Sequence, residues 1–228
     1  DGIGVRAVES ILDTDELTTL VETTRARGGF ISTRSMSDGS TQPYELNISY
    51  YDLLAAPETR DTPTHIDRFV VSQAIAMALA GIPALYFHSL VATHNDRGGV
   101  EATGLSRAIN RRRYDAGELD RTLANDSAPA TVLARLKHLL VVRARQPAFH
   151  PDAAQTVVDL GAGLFALQRK ASRQTLLAIH NVTDQTIDIA THHLPKAANW
   201  HNVVTDTEID GGRRMLRLAA YEVAWISD

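Results

Sequence analysis

The first apolar positions along the chain fall into a helical rhythm. Leu17, Leu20, Val21 and Thr24 share one face, and Asp13 with Glu16 three residues on makes a capping-box start. Arg25, Arg27 and the pair Gly28-Gly29 close the segment, so the pattern predicts a helix over residues 14–27. Residues 30–47 hold Ser37-Asp38-Gly39-Ser40 and Pro43 and read as an irregular excursion, a candidate binding loop. Over residues 66–80, Ile66, Phe69, Val70, Val71, Ala74, Ile75, Met77 and Leu79 cover more than one face, as in a helix covered by neighbours, and Gly81 ends it. Residues 82–88 then run apolar without alternation, the pattern of a strand buried on both faces of a parallel sheet. A helix followed by such a strand predicts an α/β unit.

The stretch 92–127 is polar and far longer than an ordinary connection, which marks a functional loop. Asp126-Ser127-Ala128-Pro129 is a helix start, and Val132, Leu136, Leu139 and Leu140 give the buried stripe of a helix running to Arg145. Pro147 and Pro151 mark a boundary. Beyond Asp152 the texture changes to short alternating runs at 156–160, 164–168, 175–180, 186–189, 215–218 and 222–226, with Asn181, Asp184, Pro195 and Asp210-Gly211-Gly212 between them. This predicts an antiparallel β domain over 151–228 after an α/β part over 1–150.

Composition changes the picture by exclusion. The chain has 228 residues, 44% hydrophobic and 22% charged, enough to bury a sizeable core. Its 23 Lys and Arg against 27 Asp and Glu give a formal net charge of −4, so no basic field is available for a nucleic acid or an anionic membrane, and neither is expected as a partner. With no cysteine there is no thiol nucleophile, thiolate metal site or disulfide framework, and cytoplasm is the expected location. No apolar run reaches the length of a membrane span, and no signal peptide opens the chain. The first residue is Asp1 and the opening reads like the middle of a longer polypeptide, so a fragment is expected.

Nine histidines invite a metal reading, but none forms a helical pair with a third ligand at useful spacing, and His192-His193 would point to opposite sides of a strand. No metal is expected. Asp1-Gly2-Ile3-Gly4 has glycines too close together for a dinucleotide loop, and neither a Walker sequence nor a nucleophile elbow occurs. Two places remain. Arg107, with Asn110, Arg111, Arg112 and Arg113, follows the buried strand where the loops of a barrel's C-terminal face line a site, although the same run fits a solvated basic face. Gln42-Pro43-Tyr44-Glu45 puts an aromatic ring and two polar groups on a loop tip, and an ordinary loop with a packed tyrosine fits it equally.

A set of segments in fixed order carries more than these patterns do. Asp1-Gly2-Ile3-Gly4-Val5-Arg6, Arg27-Gly28-Gly29, Pro43-Tyr44-Glu45-Leu46-Asn47, Arg68-Phe69 with Ser72-Gln73-Ala74, the run from Gly81 to Leu90, Asn95-Asp96 and Gly104-Leu105-Ser106-Arg107-Ala108-Ile109-Asn110-Arg111 together resemble the second half of sucrose-phosphorylase-like enzymes of the α-amylase clan. The resemblance is detailed over residues 1–146, and Asn181-Val182-Thr183 and Tyr221-Glu222-Val223 are typical of the family's C-terminal β domain.

The resemblance implies the C-terminal portion of a (β/α)₈ TIM barrel followed by a small antiparallel β-sandwich domain. It implies a retaining phosphorylase without metal or organic cofactor, whose partners are a sugar substrate and inorganic phosphate and whose product is α-glucose 1-phosphate. The family's carboxylate nucleophile and acid/base lie upstream of the stretch that Asp1 opens, so the chain alone is expected to be inert. Asp1 matches the aspartate that grips sugar hydroxyls and steadies the oxocarbenium ion, a hydrogen bond that tightens as charge grows on the ring. Arg107 matches the arginine that binds the glucosyl unit, and Gln42, Tyr44 and Glu45 match the loop that meets acceptor or phosphate. Sucrose phosphorylases read Asp-Leu-Tyr-Gln there; the Gln-Pro-Tyr-Glu of this chain is closer to the sucrose-6-phosphate and glucosylglycerate branches. An anionic acceptor needs cations, for which Arg34, His88 and His94 are the candidates. The alternatives are an α-amylase-type hydrolase or a non-catalytic carbohydrate-binding or structural fragment. A partial barrel would leave apolar faces such as that of 82–88 open, so a homodimer through that surface is expected.

Overall fold

The computed structural model describes residues 2–194, 199–210 and 212–227. In chain order its elements are β1 (Ile3–Gly4), α1 (Thr14–Ala26), β2 (Phe30–Ser35), β3 (Thr41–Asn47), α2 (Tyr50–Leu53), α3 (Pro63–Ala78), α4 (Phe87–Leu90), α5 (Arg97–Thr103), α6 (Ala116–Ala124) and α7 (Ala128–Ala144). The strands β4 (Ala154–Val158), β5 (Leu164–Ala171), β6 (Gln174–Asn181), β7 (Ile187–Ala190), β8 (Asn199–Asn202), β9 (Thr207–Asp210), β10 (Met215–Leu218) and β11 (Val223–Ser227) follow. Two compact units result, Asp1–His65 with Leu85–Leu133, and Ile66–Ala84 with Ala134–Asp228.

In the first unit α1 begins as its sequence dictates. The Asp13 carboxylate accepts from the amides of Asp15 and Glu16, both at 2.9 Å, while the Glu16 side chain accepts from the Asp13 amide. Val21 of this helix packs with Val5, Leu46, Ile48 and Leu53 in the unit's core. Residues 30–47 are not an irregular excursion. They form the β2–β3 hairpin of a three-stranded sheet in the order β1-β3-β2, antiparallel throughout. The turn that reads as loop chemistry is what closes the hairpin: Gly39 sits at φ +82°, where a side chain is penalised, and Asp38 Oδ1 accepts from the Ser40 amide at 2.9 Å. Register shifts once, from Ser32 opposite Glu45 to Thr33 opposite Pro43, so Tyr44 is the extra residue of a bulge beside a proline that cannot donate to the ladder.

Two further expectations are corrected here. Residues 82–88 form no strand: every pairing among the described strands is antiparallel, Ile82 is 84% exposed, and the chain enters α4 at Phe87. An apolar run becomes a strand only where a neighbour offers a ladder. The stretch 92–127 is not one loop, because Asp96 and Asp115 cap α5 and α6 by accepting from the amides of Gly99 and Glu118, both at 2.9 Å.

The second unit carries a six-stranded sheet in the order β4-β5-β6-β11-β8-β9 and a two-stranded β10-β7 ladder. Ile189 of β7 and Leu218 of β10 share a core with Leu177, Ile179, Trp200 and Ile226 of the large sheet, which is a small sandwich. The strands β8 and β9 have no counterpart in the sequence reading, and His192-His193 lies in a single 3₁₀ turn rather than a strand. On the other face of the large sheet, Trp225 meets Phe149 edge to face with centroids 4.7 Å apart.

Beside Trp225 sits His180, buried completely. Its Nδ1 pairs with the Phe165 carbonyl at 3.0 Å and its Nε2 receives the Trp225 indole N–H at 3.3 Å. Only the neutral ring protonated at Nδ1 satisfies both, and burial pushes its pKa from 6.5 down to about 4. Because the folded value is the lower one, the ring adds no pH dependence above 6.5. As pH falls from 6.5 to 4 the unfolded chain takes up a proton that the folded chain refuses, at a cost of up to about 3 kcal/mol by pH 4. Thermal melts across that window should show this loss and show less of it in His180→Gln; parallel curves for the two proteins would remove the assignment.

Candidate active site

Of the expected site residues, the structure brings Arg107 and Glu45 together. Glu45 stands on β3 opposite Gly4 of β1 and is nearly buried, with a side chain 12% exposed. Arg107 comes from the 3₁₀ turn Ser106–Asn110, and its Nε and a terminal nitrogen reach the same Glu45 oxygen at 2.9 and 2.8 Å. The guanidinium is half exposed, so the pair presents a forked donor set beside a carboxylate, an arrangement that suits vicinal hydroxyls. The Glu45 side chain lies against Gly2, and a Cβ at that position would push the carboxylate from its present place. Asp1, the expected transition-state stabiliser, lies outside the described residues.

Tyr44 and Gln42 are placed differently from the loop tip expected of them. Tyr44, the bulged residue, is 43% exposed and its carbonyl receives the Val5 amide at 3.0 Å. Gln42 pairs with Arg34 near the hairpin's far end and lines, with Pro43 and residues of α1 such as Leu17, a separate cleft of about 650 Å³. The residues Gln42, Tyr44 and Glu45 therefore do not converge from one mobile loop; they are spread along a paired strand.

Sequence reasoning missed a polar cluster in the same unit. Asp52, wholly buried on α2, accepts from His94 Nδ1 at 2.6 Å, from the Asn95 amide at 2.8 Å and from Arg60 at 3.2 Å. The other ring nitrogen of His94 meets Asp61 at 3.1 Å, and Asp61 also receives the Tyr51 hydroxyl at 3.0 Å. Burial opposes charge on His94, but the two carboxylates outweigh it and raise the pKa to about 9. The ring is therefore a cation at neutral pH, its charge committed to Asp52 and Asp61. Arg34 pairs with Glu9 at 2.7 Å, and burial lowers the pKa of His88. The cluster fixes the next segment: Asn95 accepts from the Ser49 amide at 2.8 Å, and the Asp96 amide donates to the Ile109 carbonyl at 2.8 Å, inside the turn that carries Arg107. Since the folded pKa of His94 is the raised one, its contribution is complete below pH 6.5 and disappears as pH rises through about 9. Melts from pH 7 to 10 should decline in the parent and be flatter in His94→Gln, and identical slopes would refute the pairing.

Among the described residues no group of three or more histidines and carboxylates is arranged to hold a metal, and no helix is long and apolar enough to cross a membrane.

No family model matches the chain. It is 31% identical over 99% of its length to the glucosylglycerate phosphorylase of Escherichia coli (strain K12), covering 40% of that protein. It is 33% identical over its whole length to the glucosylglycerate phosphorylase of Allomeiothermus silvanus, covering 39%. The chain thus spans about 40% of the length of the curated relatives it matches. Among solved structures, sucrose 6F-phosphate phosphorylase from Thermoanaerobacter thermosaccharolyticum matches with a TM-score of 0.66 at 24% identity, over 80% of this chain and 35% of that one. The α-amylase of Geobacillus thermoleovorans matches with a TM-score of 0.58 at 17% identity, over 79% of this chain and 36% of that one.

Proposed function

This chain is a sucrose-phosphorylase-like protein of the α-amylase fold, carrying part of a (β/α)₈ barrel and an antiparallel β domain, and on that basis we propose that it works within a retaining α-glucoside phosphorylase whose donor is glucosylglycerate. The observation that carries the choice of donor is the extent of likeness. Three glucosylglycerate phosphorylases align at 31–33% identity over 99–100% of the chain, whereas the sucrose phosphorylases align at 24–29% over 52–77%.

In this reading the barrel part ends near residue 150, and polypeptide outside these residues supplies the nucleophile and the acid/base. The glucosyl unit leaves the donor oxygen for an enzyme carboxylate, and phosphate then takes it with net retention, giving α-glucose 1-phosphate and glycerate. Arg107, held by Glu45, donates to glucosyl hydroxyls, and Asp1 accepts from one whose hydrogen bond strengthens as positive charge develops. Tyr44, exposed on β3, is the residue this reading assigns to the acceptor or phosphate. The test is incubation of the complete enzyme with phosphate and each of glucosylglycerate, sucrose 6-phosphate and sucrose, with sugar phosphate measured. Glucose 1-phosphate from glucosylglycerate above the other two donors is the expected result. Free glucose formed without phosphate would replace this reading with a hydrolase, and no turnover of any donor would sink it.

A further inference from the structure

We infer that Asn110 is a positioning residue that holds the backbone of Arg107 and the backbone beside Asp1 in one fixed relation. Asn110 ends the 3₁₀ turn and is 2% exposed. Of the two amide orientations, one satisfies both ends of the group: Nδ2 donates to the Arg107 carbonyl at 2.9 Å, and Oδ1 accepts from the Gly2 amide at 3.0 Å. One side chain thus ties the turn that presents Arg107 to the segment that carries Asp1. Glu45 makes a parallel tie, its carboxylate over Gly2 and its oxygen on Arg107. The two ties act on different atoms, since Glu45 fixes the guanidinium and Asn110 fixes the main chain from which that side chain departs.

The turn does not depend on Asn110 for its existence. The Ile109 carbonyl receives the Asp96 amide at 2.8 Å, the Asn110 carbonyl receives the Tyr86 hydroxyl at 3.2 Å, and the Arg111 amide donates to the Ala108 carbonyl at 3.0 Å. Shortening the side chain therefore loosens the relation between two segments while the turn stays formed. The inference rests on the phosphorylase reading for its kinetic consequence and on geometry alone for its structural one.

Two variants of the complete protein test it. Asn110→Ala removes both bonds, so the Gly2 amide should exchange with solvent at least about tenfold faster while the Asp96 amide keeps its protection. Misplacement of this kind should lower kcat/KM for phosphorolysis by about 10- to 100-fold. Asn110→Asp has the same shape, and only its protonated form donates to the Arg107 carbonyl. Its activity relative to the parent should therefore recover as pH falls, an ionisation limb that the parent lacks, with unchanged circular dichroism across the same range. Parent-like Gly2 exchange in Asn110→Ala would overturn the inference, as would a flat ratio of Asn110→Asp to parent activity. Should Asn110→Ala not fold, Asn110→Asp decides. Should the parent show no phosphorolysis at all, the function falls by itself and Gly2 exchange still decides Asn110.

Discussion

Arg169→Ala should cost about 3–5 kcal/mol of unfolding free energy, read as a lower urea midpoint with an unchanged slope. Arg169 is fully buried on β5, and its guanidinium donates to the carbonyls of Ala78 at 2.8 Å, His150 at 3.0 Å and Ala153 at 3.2 Å. These acceptors belong to chain ends that have no ladder of their own: the last residue of α3 and the connection that leads into β4. Without the arginine the buried Ala78 carbonyl and the half-buried Ala153 carbonyl lose this donor, the His150 carbonyl keeps only the Ala153 amide, and a cavity opens against Phe149. Desolvation lowers its pKa below the usual guanidinium range, with the Arg143 charge adding to the effect, but the group stays cationic and is held by dipoles. Arg169→Met restores most of the volume and none of the donors, so it should recover only part of the loss. A change below about 1 kcal/mol in Arg169→Ala would mean that water replaces the guanidinium at little cost.

Arg107→Ala in the complete enzyme should lower kcat/KM for phosphorolysis by about 10²- to 10³-fold, the range for removing one preorganised charged donor from a site. Stability should hardly move, because a half-exposed ion pair contributes less than about 1 kcal/mol. Arg107→Lys keeps the charge but cannot reach Glu45 and sugar hydroxyls with one planar fork, so most of the defect should remain. Steady-state kinetics beside thermal melts check both statements. A loss of less than about threefold would take Arg107 out of the site, whatever the complete enzyme turns over.

The parts of this protein legible in its sequence are those whose cause is local. Helix α1 was readable because Asp13, Glu16 and the apolar stripe are all within its own turns. The β2–β3 hairpin was not, since the same Ser-Asp-Gly-Ser that signals a loop also closes two strands, and pairing is decided by the partner. Residues 82–88 fail in the opposite direction: their composition suits a buried strand, but the ladder is absent. The strands β8 and β9 are four residues each, too short for alternation to register. At the site, Arg107 stands out through resemblance to a family, whereas Asn110 reads from its neighbours as one member of a basic run. Its partners are a carbonyl and an amide, and no side-chain pattern announces backbone groups. His94 was visible as a histidine, but its pairing with Asp52 and Asp61 spans 42 and 33 residues.

Gly2 and Glu45 form an evolutionary constraint. A side chain at position 2 would displace the Glu45 carboxylate from the place where it pairs with Arg107. The two positions are therefore coupled: enlarging Gly2 moves the Glu45 carboxylate, and shortening Glu45 makes room at position 2. Either change disturbs the anchor of Arg107. A change at one position is felt at the other through Arg107, and an edge built this way tends to change by paired steps or to stay as it is.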